Sequence, residues 1–159
     1  MESPEGSKKA RASGEALDAY FGGEEYRYLR KLAKRAGAAR SRGTAVGNVL
    51  LVPGIMGSGL LTSDRRGDRD LVWINVFRLA LGQFKRLKLS SDGVSEADPE
   101  WTVRIGEVDK RTYARALLWL RASWNVAPFP FDWRKDMDVA SDALSDFIRE
   151  RYPGEPVHL

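Results

Sequence analysis

Cysteine is absent from the 159 residues. That excludes a disulfide framework, thiolate catalysis and cysteine-built metal sites. A single histidine, His158, is too little for a histidine metal cluster, so neither metal nor cofactor is expected. No window approaches the apolar length of a membrane-spanning helix. The opening MESPEGSKKARASGEA lacks the apolar core of a secretory signal. A cytoplasmic location is the default expectation, with peripheral membrane contact left open. No internal repeat is visible. Acidic residues are scarce at one end only: residues 1–45 carry ten Lys/Arg against six Asp/Glu, while the remainder carries sixteen of each. The excess of +4 therefore sits in the N-terminal segment. This argues against a nucleic-acid-binding role for the domain as a whole. It leaves residues 1–45, above all the basic run Arg27–Arg35, as a candidate contact with an anionic membrane or a nucleic acid; a solvated helix face leading into a linker is the plainer reading.

What is present fits one globular domain, because a chain of this length can bury a real core. Two regions separate: a basic segment, 1–46, partly helical or disordered, and a folded unit, 47–159. The folded unit is organised around Gly47–Leu61, GNVLLVPGIMGSGLL. Val49, Leu50, Leu51 and Val52 form a short unbroken apolar run, the pattern of a strand buried on both faces. Pro53-Gly54 stops it. Gly54, Gly57 and Gly59 then make a loop that can adopt positive φ and bring backbone N–H groups close to a ligand. A strand ending in such a loop is one way to build an oxyanion site; a tight turn after a core strand is the other reading.

Along the chain, composition predicts disorder over Met1–Gly14. A helix over Glu15–Arg40 follows, interrupted at Gly22-Gly23, with Leu17, Tyr20, Phe21, Tyr28, Leu29 and Leu32 as its apolar stripe. Ala36–Gly47 reads as a linker. After the glycine loop, Ser63–Asp70 is a charged loop turning at Gly67. The spacing of Trp73, Val76/Phe77, Ala80/Leu81, Phe84 and Leu87 predicts one helix over Val72–Leu87. Trp101–Val108 alternates as a strand. Asp109 caps a helix running to about Ala122, and Trp124–Phe129 is a second buried strand. Asp138 caps a helix with Ala140, Ala143, Leu144, Phe147, Ile148 and Tyr152 inward. Pro153-Gly154 ends it, and Glu155–Leu159 opens a third strand. The strand–helix alternation predicts an α/β fold with a parallel sheet and right-handed crossovers. A third strand that stops half-made implies an incomplete domain, whose uncovered edge could mediate self-association.

Four segments occur in order: Val52-Pro53-Gly54-Ile55-Met56-Gly57-Ser58; Trp73 with Asn75; Phe129-Pro130-Phe131-Asp132-Trp133-Arg134; and Gly154-Glu155-Pro156-Val157-His158-Leu159. Together they resemble the lecithin–cholesterol acyltransferase family of α/β-hydrolases over roughly Asn48–Leu159. The resemblance implies a partial α/β-hydrolase fold, a parallel sheet with flanking helices, truncated before the nucleophile elbow. It implies an acyltransferase or lipase acting on a lipid or acyl-ester substrate through a Ser–Asp–His triad and an acyl-enzyme. All three triad positions would lie beyond Leu159, since the elbow comes first in chain order. The chain is therefore expected to be inactive alone. A non-catalytic binding or regulatory module built from the same fold is the alternative.

The resemblance implies that the Met56 backbone N–H is one oxyanion donor and that Trp73 lines an acyl pocket; an ordinary helix-face aromatic is the plain alternative for Trp73. Gly54 and Gly57 shape the loop. Asp132, Trp133 and Arg134 form a structural motif in which a carboxylate and a guanidinium two residues apart pin a strand end. Ser58, in G-S-G rather than G-x-S-x-G, reads as a turn residue and not a nucleophile. His158 reads as a packing residue on a strand and not a base.

Overall fold

The computed structural model describes residues 4–43 and 45–159. Two helices open the chain, α1 (Pro4–Phe21) and α2 (Gly23–Arg42), broken at Gly22 as the glycine pair predicts. Two expectations are corrected here. Helix α1 already covers Pro4–Gly14 of the stretch read as disordered, whose first three residues lie outside the described ones. Helix α2 runs on through most of the stretch read as a linker, because Ala36 and Ala39 continue the buried stripe begun by Leu29 and Leu32. These small side chains let α2 lie against α4 (Lys110–Leu120). Leu17, Tyr20 and Tyr28, placed on the stripe by spacing, are each more than two-fifths exposed.

The parallel sheet has β1 (Asn48–Leu51) at its centre, flanked by β5 (Asn125–Pro128) and β6 (Val157–His158). Register pairs Val49 with Val126 and Leu50 with Ala127 on one side, and Asn48 with Val157 on the other. Successive side chains of a strand point to opposite faces, and here each face has its own helix. Leu50 and Ala127 join Phe129, Phe131 and Tyr152 under Ala140, Leu144, Phe147 and Ile148 of α5 (Met137–Arg151). Val49, Leu51 and Val126 pack with Tyr113, Leu117 and Leu120 of α4. Because β1 connects to β5 on one side and β5 crosses back to β6 on the other, right-handed crossovers require helices on opposite faces.

A second sheet, absent from the sequence reading, is inserted between β1 and α4. It is antiparallel, with β2 (Ser58–Ser63) between β3 (Arg69–Trp73) and β4 (Thr102–Val108). Ser58, Leu60 and Thr62 of β2 are buried in strict alternation. The single helix expected over Val72–Leu87 is replaced by the end of β3, a five-residue helix α3 (Val76–Ala80) and a 3-10 turn (Gln83–Leu87). Gly82, at φ 72°, makes the break between the last two. The helical spacing misled because its members serve different surfaces: Leu87 is buried, whereas Phe77 is 71% exposed. Asp70 on β3 holds this region by pairing with Arg78 at 2.8 Å and Arg86 at 3.4 Å. The charged loop is the β2–β3 hairpin turn, closed by Asp64 Oδ1 accepting the N–H groups of Arg66 and Asp68.

Asp109 caps α4 as expected, accepting from the Arg111 and Thr112 N–H groups. The cap of α5 is Asp136 rather than Asp138: Asp136 accepts the Asp138 N–H, which places Asp138 in the first turn. Within the expected α5 stripe Ala143 is exposed, and the other five pack inward.

Candidate functional site

The loop Pro53–Gly57 leaves the carboxyl end of the central strand β1 and is held at several points. The Gly57 N–H donates to the Gly54 carbonyl at 2.9 Å, and the Gly57 carbonyl accepts the Asp109 N–H at 2.8 Å. The Gly54 N–H donates to the Tyr113 hydroxyl at 2.9 Å. Any side chain at Gly57 would force its neighbours to shift. A Cβ there would lie 2.7 Å from the Tyr113 hydroxyl, 2.8 Å from Pro53 Cβ and 2.9 Å from the Gly54 carbonyl oxygen.

Met56 sits at the apex with φ 67°, the one described non-glycine residue at positive φ. Such a backbone costs on the order of 1 kcal/mol and persists where surroundings over-determine it. Here the indole N–H of Trp73 donates to the Met56 carbonyl at 2.8 Å. That bond fixes the peptide plane from the carbonyl side. No acceptor among the described residues takes the Met56 N–H. A held backbone amide with an unclaimed donor is the arrangement that can stabilise a developing oxyanion.

Met56 and Trp73 also line a cleft of about 680 Å³ beside the loop. Its walls are largely apolar: Leu61 and Leu71 from β2 and β3, Ile105 from β4, and Tyr20 from α1. Leu71 and Ile105 are nearly half exposed, so the antiparallel sheet presents an uncovered apolar face to this cleft. Asp109 and Lys110, at the start of α4, supply polar groups on its rim.

Behind the loop lies an aromatic layer. Trp73 meets Trp133 edge-on at 5.1 Å and Phe84 at 6.3 Å. The Trp133 indole donates to the Ser58 carbonyl at 3.1 Å. The buried Ser58 hydroxyl oxygen accepts the Phe131 N–H at 3.0 Å. Ser58 is thus a fastening between β2 and the Phe129–Arg134 segment, and among the described residues no hydrogen bond joins it to a base.

Arg134 is 5% exposed in its side chain, and all five of its guanidinium donors are used. Nε and one terminal nitrogen grip Asp132 at 2.9 and 2.6 Å. Both terminal nitrogens grip Glu96, at 2.8 and 2.9 Å, and one also reaches the Leu87 carbonyl at 2.9 Å. Burial works against the charge. The hydrogen bonds to Glu96 and Asp132 outweigh it and hold the guanidinium pKa above its ordinary value. This clamp ties the end of β5 to the loop before β4.

The structure therefore brings Met56 and Trp73 together at the cleft, with Gly54 and Gly57 in the loop that carries Met56 and Trp133 one ring behind. Asp132 and Arg134 stand further back as a fastening. His158 lies on β6, exposed and stacked edge-on against Trp124 at 5.1 Å; it packs, but is not buried. Three contributors escaped sequence reading. Tyr113 was placed on an apolar helix face, and its hydroxyl gave no sign of reaching Gly54. Glu96 sat in a turn-rich loop, though a buried arginine with one adjacent carboxylate implies a further acceptor. Tyr20 lay in a segment read as separate from the domain. Comparison with protein-family models, curated proteins and solved structures gives no match for the chain.

Proposed function

We propose that this chain is the N-terminal part of a serine-dependent α/β-hydrolase of the lecithin–cholesterol acyltransferase type. It contributes one oxyanion donor, the Met56 N–H, and an apolar acyl site, the cleft lined by Trp73. The observation that carries this reading is the Met56 peptide: strained, held by Trp73 through its carbonyl, and unclaimed at its N–H. The sheet order supports it. Strand β6 is the parallel neighbour of β1, so chain continuing from β6 would emerge at the same sheet edge as the Pro53–Gly57 loop. An elbow serine there would have a second donor from its following residue and the first from Met56.

In the completed enzyme the serine oxygen would attack the ester carbonyl. The bond to the leaving alcohol would break, and the acyl group would pass from the serine to water or to an acceptor alcohol. Charge on the carbonyl oxygen would grow against the Met56 N–H, a contact worth about 3 kcal/mol in the transition state. Without a nucleophile, turnover falls by about six orders of magnitude, so residues 1–159 alone bind and do not turn over.

The test is a fluorophosphonate label applied to two proteins: residues 1–159, and a longer chain translated onward from the codon for Leu159. The short chain is expected to stay unlabelled and the longer chain to label at an elbow serine. Labelling of the short chain at Ser58, or an unlabelled longer chain, overturns the reading.

One observation favours a second reading, a non-catalytic module for an apolar ligand. Ser58, the serine of the glycine loop, is buried and engaged as an acceptor, while the cleft is open and apolar. Under that reading a fatty-acid analogue binds the cleft and the longer chain resists the label.

A further inference from the structure

Helix α2 carries a cationic face whose bases have no ion-pair partner among the described residues. Arg27, Arg30, Lys31, Lys34, Arg35 and Arg42 are all exposed. At 3.6 residues per turn they fall within an arc of about 140°, opposite the buried stripe Leu29–Leu32–Ala36–Ala39, over a length of about 22 Å. The acids of α2, Glu24 and Glu25, stand in its first turn, and Glu25 is taken by Arg115 of α4. Among the described residues no ion pair involves any of the six.

The spacing makes this costly. Arg27–Lys31, Lys31–Arg35 and Arg30–Lys34 are like charges at i,i+4, which repel on a helix surface. An ordinary solvated face interleaves glutamates and removes that repulsion. The orientation is equally constrained, because the opposite face is buried, partly against α4. Arg115 also lies over the Tyr28 ring at 4.8 Å and Arg111 over the Tyr20 ring at 4.6 Å, fixing the helix pair to α4. The cationic face is therefore a rigid, outward-facing row.

We propose that this row docks the protein on an anionic phospholipid surface, with headgroup phosphates as its counter-charges. The choice of a lipid layer rests on the lipid-acyl reading of the cleft and on two further features. One convex helix face suits a plane, and the bases of the neighbouring helix α4 are already engaged: Arg115 with Glu25, Arg111 over the Tyr20 ring and Lys110 with Glu107. The row also lacks free rings on which bases could stack. Tyr26 and Tyr28 flank it, and each faces an arginine, Arg30 and Arg115 respectively. Because the apolar face of α2 is already buried, attachment is electrostatic and not insertional.

The experiment is co-sedimentation of the full chain with vesicles, which reads binding without any catalysis and so stands apart from the labelling test. At low salt the chain is expected to sediment with vesicles containing about one-third phosphatidylserine and not with pure phosphatidylcholine, and to release at high salt. The variant R27Q/K31Q/K34Q/R35Q, which keeps good helix formers, is expected to lose at least about a hundredfold in partitioning. The control R65Q/R66Q, in the exposed hairpin turn, is expected to sediment like the parent, and circular dichroism confirms that both variants are folded. Equal sedimentation of the quadruple variant, failure of the parent to sediment with anionic vesicles, or tighter binding to duplex DNA than to those vesicles overturns the proposal.

Discussion

Arg134 shows how one side chain can hold a site without touching it. Its five donors are all committed, to Asp132, Glu96 and the Leu87 carbonyl. Replacing it by alanine leaves the largely buried Glu96 carboxylate without its partner and Asp132 with only the backbone N–H of residue 134. That is expected to cost about 3–5 kcal/mol and to lower the melting midpoint on the order of 10 °C in calorimetry. Arg134→Lys keeps the charge but cannot fill a two-sided fork, and should recover only part of the loss. Since the guanidinium pKa is raised, the arginine half of the clamp is present at all lower pH and is not lost within the accessible range. Gly57→Ala should lower stability by about 1–3 kcal/mol, since backbone and Pro53 must shift to admit the methyl. Asp92 offers a pH reading. Its carboxylate accepts from the Ser90 hydroxyl and from the N–H groups of Val94 and Ser95, and these bonds, the Ser90 hydroxyl first, hold its pKa well below the usual carboxylate range. The turn is therefore favoured above the ordinary aspartate value of about 3.9 and loses that contribution as pH falls through the lowered pKa. Carbon-detected titration should place the Asp92 midpoint below that of every aspartate with no such bonds, and a midpoint near 3.9 would contradict the turn geometry.

At the scale of elements, legibility followed how far each pattern depended on its own residues. The strand expected over Val49–Val52, the Asp109 cap and the break at Gly22-Gly23 are local devices; the cap and the break stand where the sequence placed them, and the strand is shifted by one residue to Asn48–Leu51. The antiparallel sheet was illegible because its pairing is non-local: β2 needs β4, which lies some forty residues on and has its own bulged register. Its apolar members also fell at helical spacing by coincidence, so Trp73 joined Phe77 and Phe84 on paper but sits on a strand. Helix α2 overran its expected end because alanines bury as readily as leucines where two helices approach closely. Within the site, the Gly54–Gly57 loop was legible from glycine spacing. The Trp73–Met56 and Tyr113–Gly54 bonds were not, since nothing local announces a partner seventeen or fifty-nine positions away. Removing the Asp109 cap is a direct test of an element boundary. Asp109→Ala should cost about 1 kcal/mol and increase amide exchange at Arg111 and Thr112, the N–H groups the carboxylate accepts.

At the scale of the molecule, a mixed α/β chain arranges two sheets so that one presents a loop and the other a wall. The parallel sheet delivers the Pro53–Gly57 loop at the end of its central strand. The antiparallel sheet supplies the apolar face beside it, and α1 adds Tyr20 to the rim. Helix α2 turns its positive face outward. In the proposed enzyme the cleft receives an acyl chain while the cationic row meets the surface that carries it. The most direct measurement of the central claim is the Met56 amide resonance in the longer, serine-bearing chain before and after phosphonylation. The account predicts a downfield shift of the Met56 N–H together with slowed exchange, as the phosphonyl oxygen accepts the proton. A phosphonylated protein whose Met56 amide keeps its position and exchange rate would contradict it.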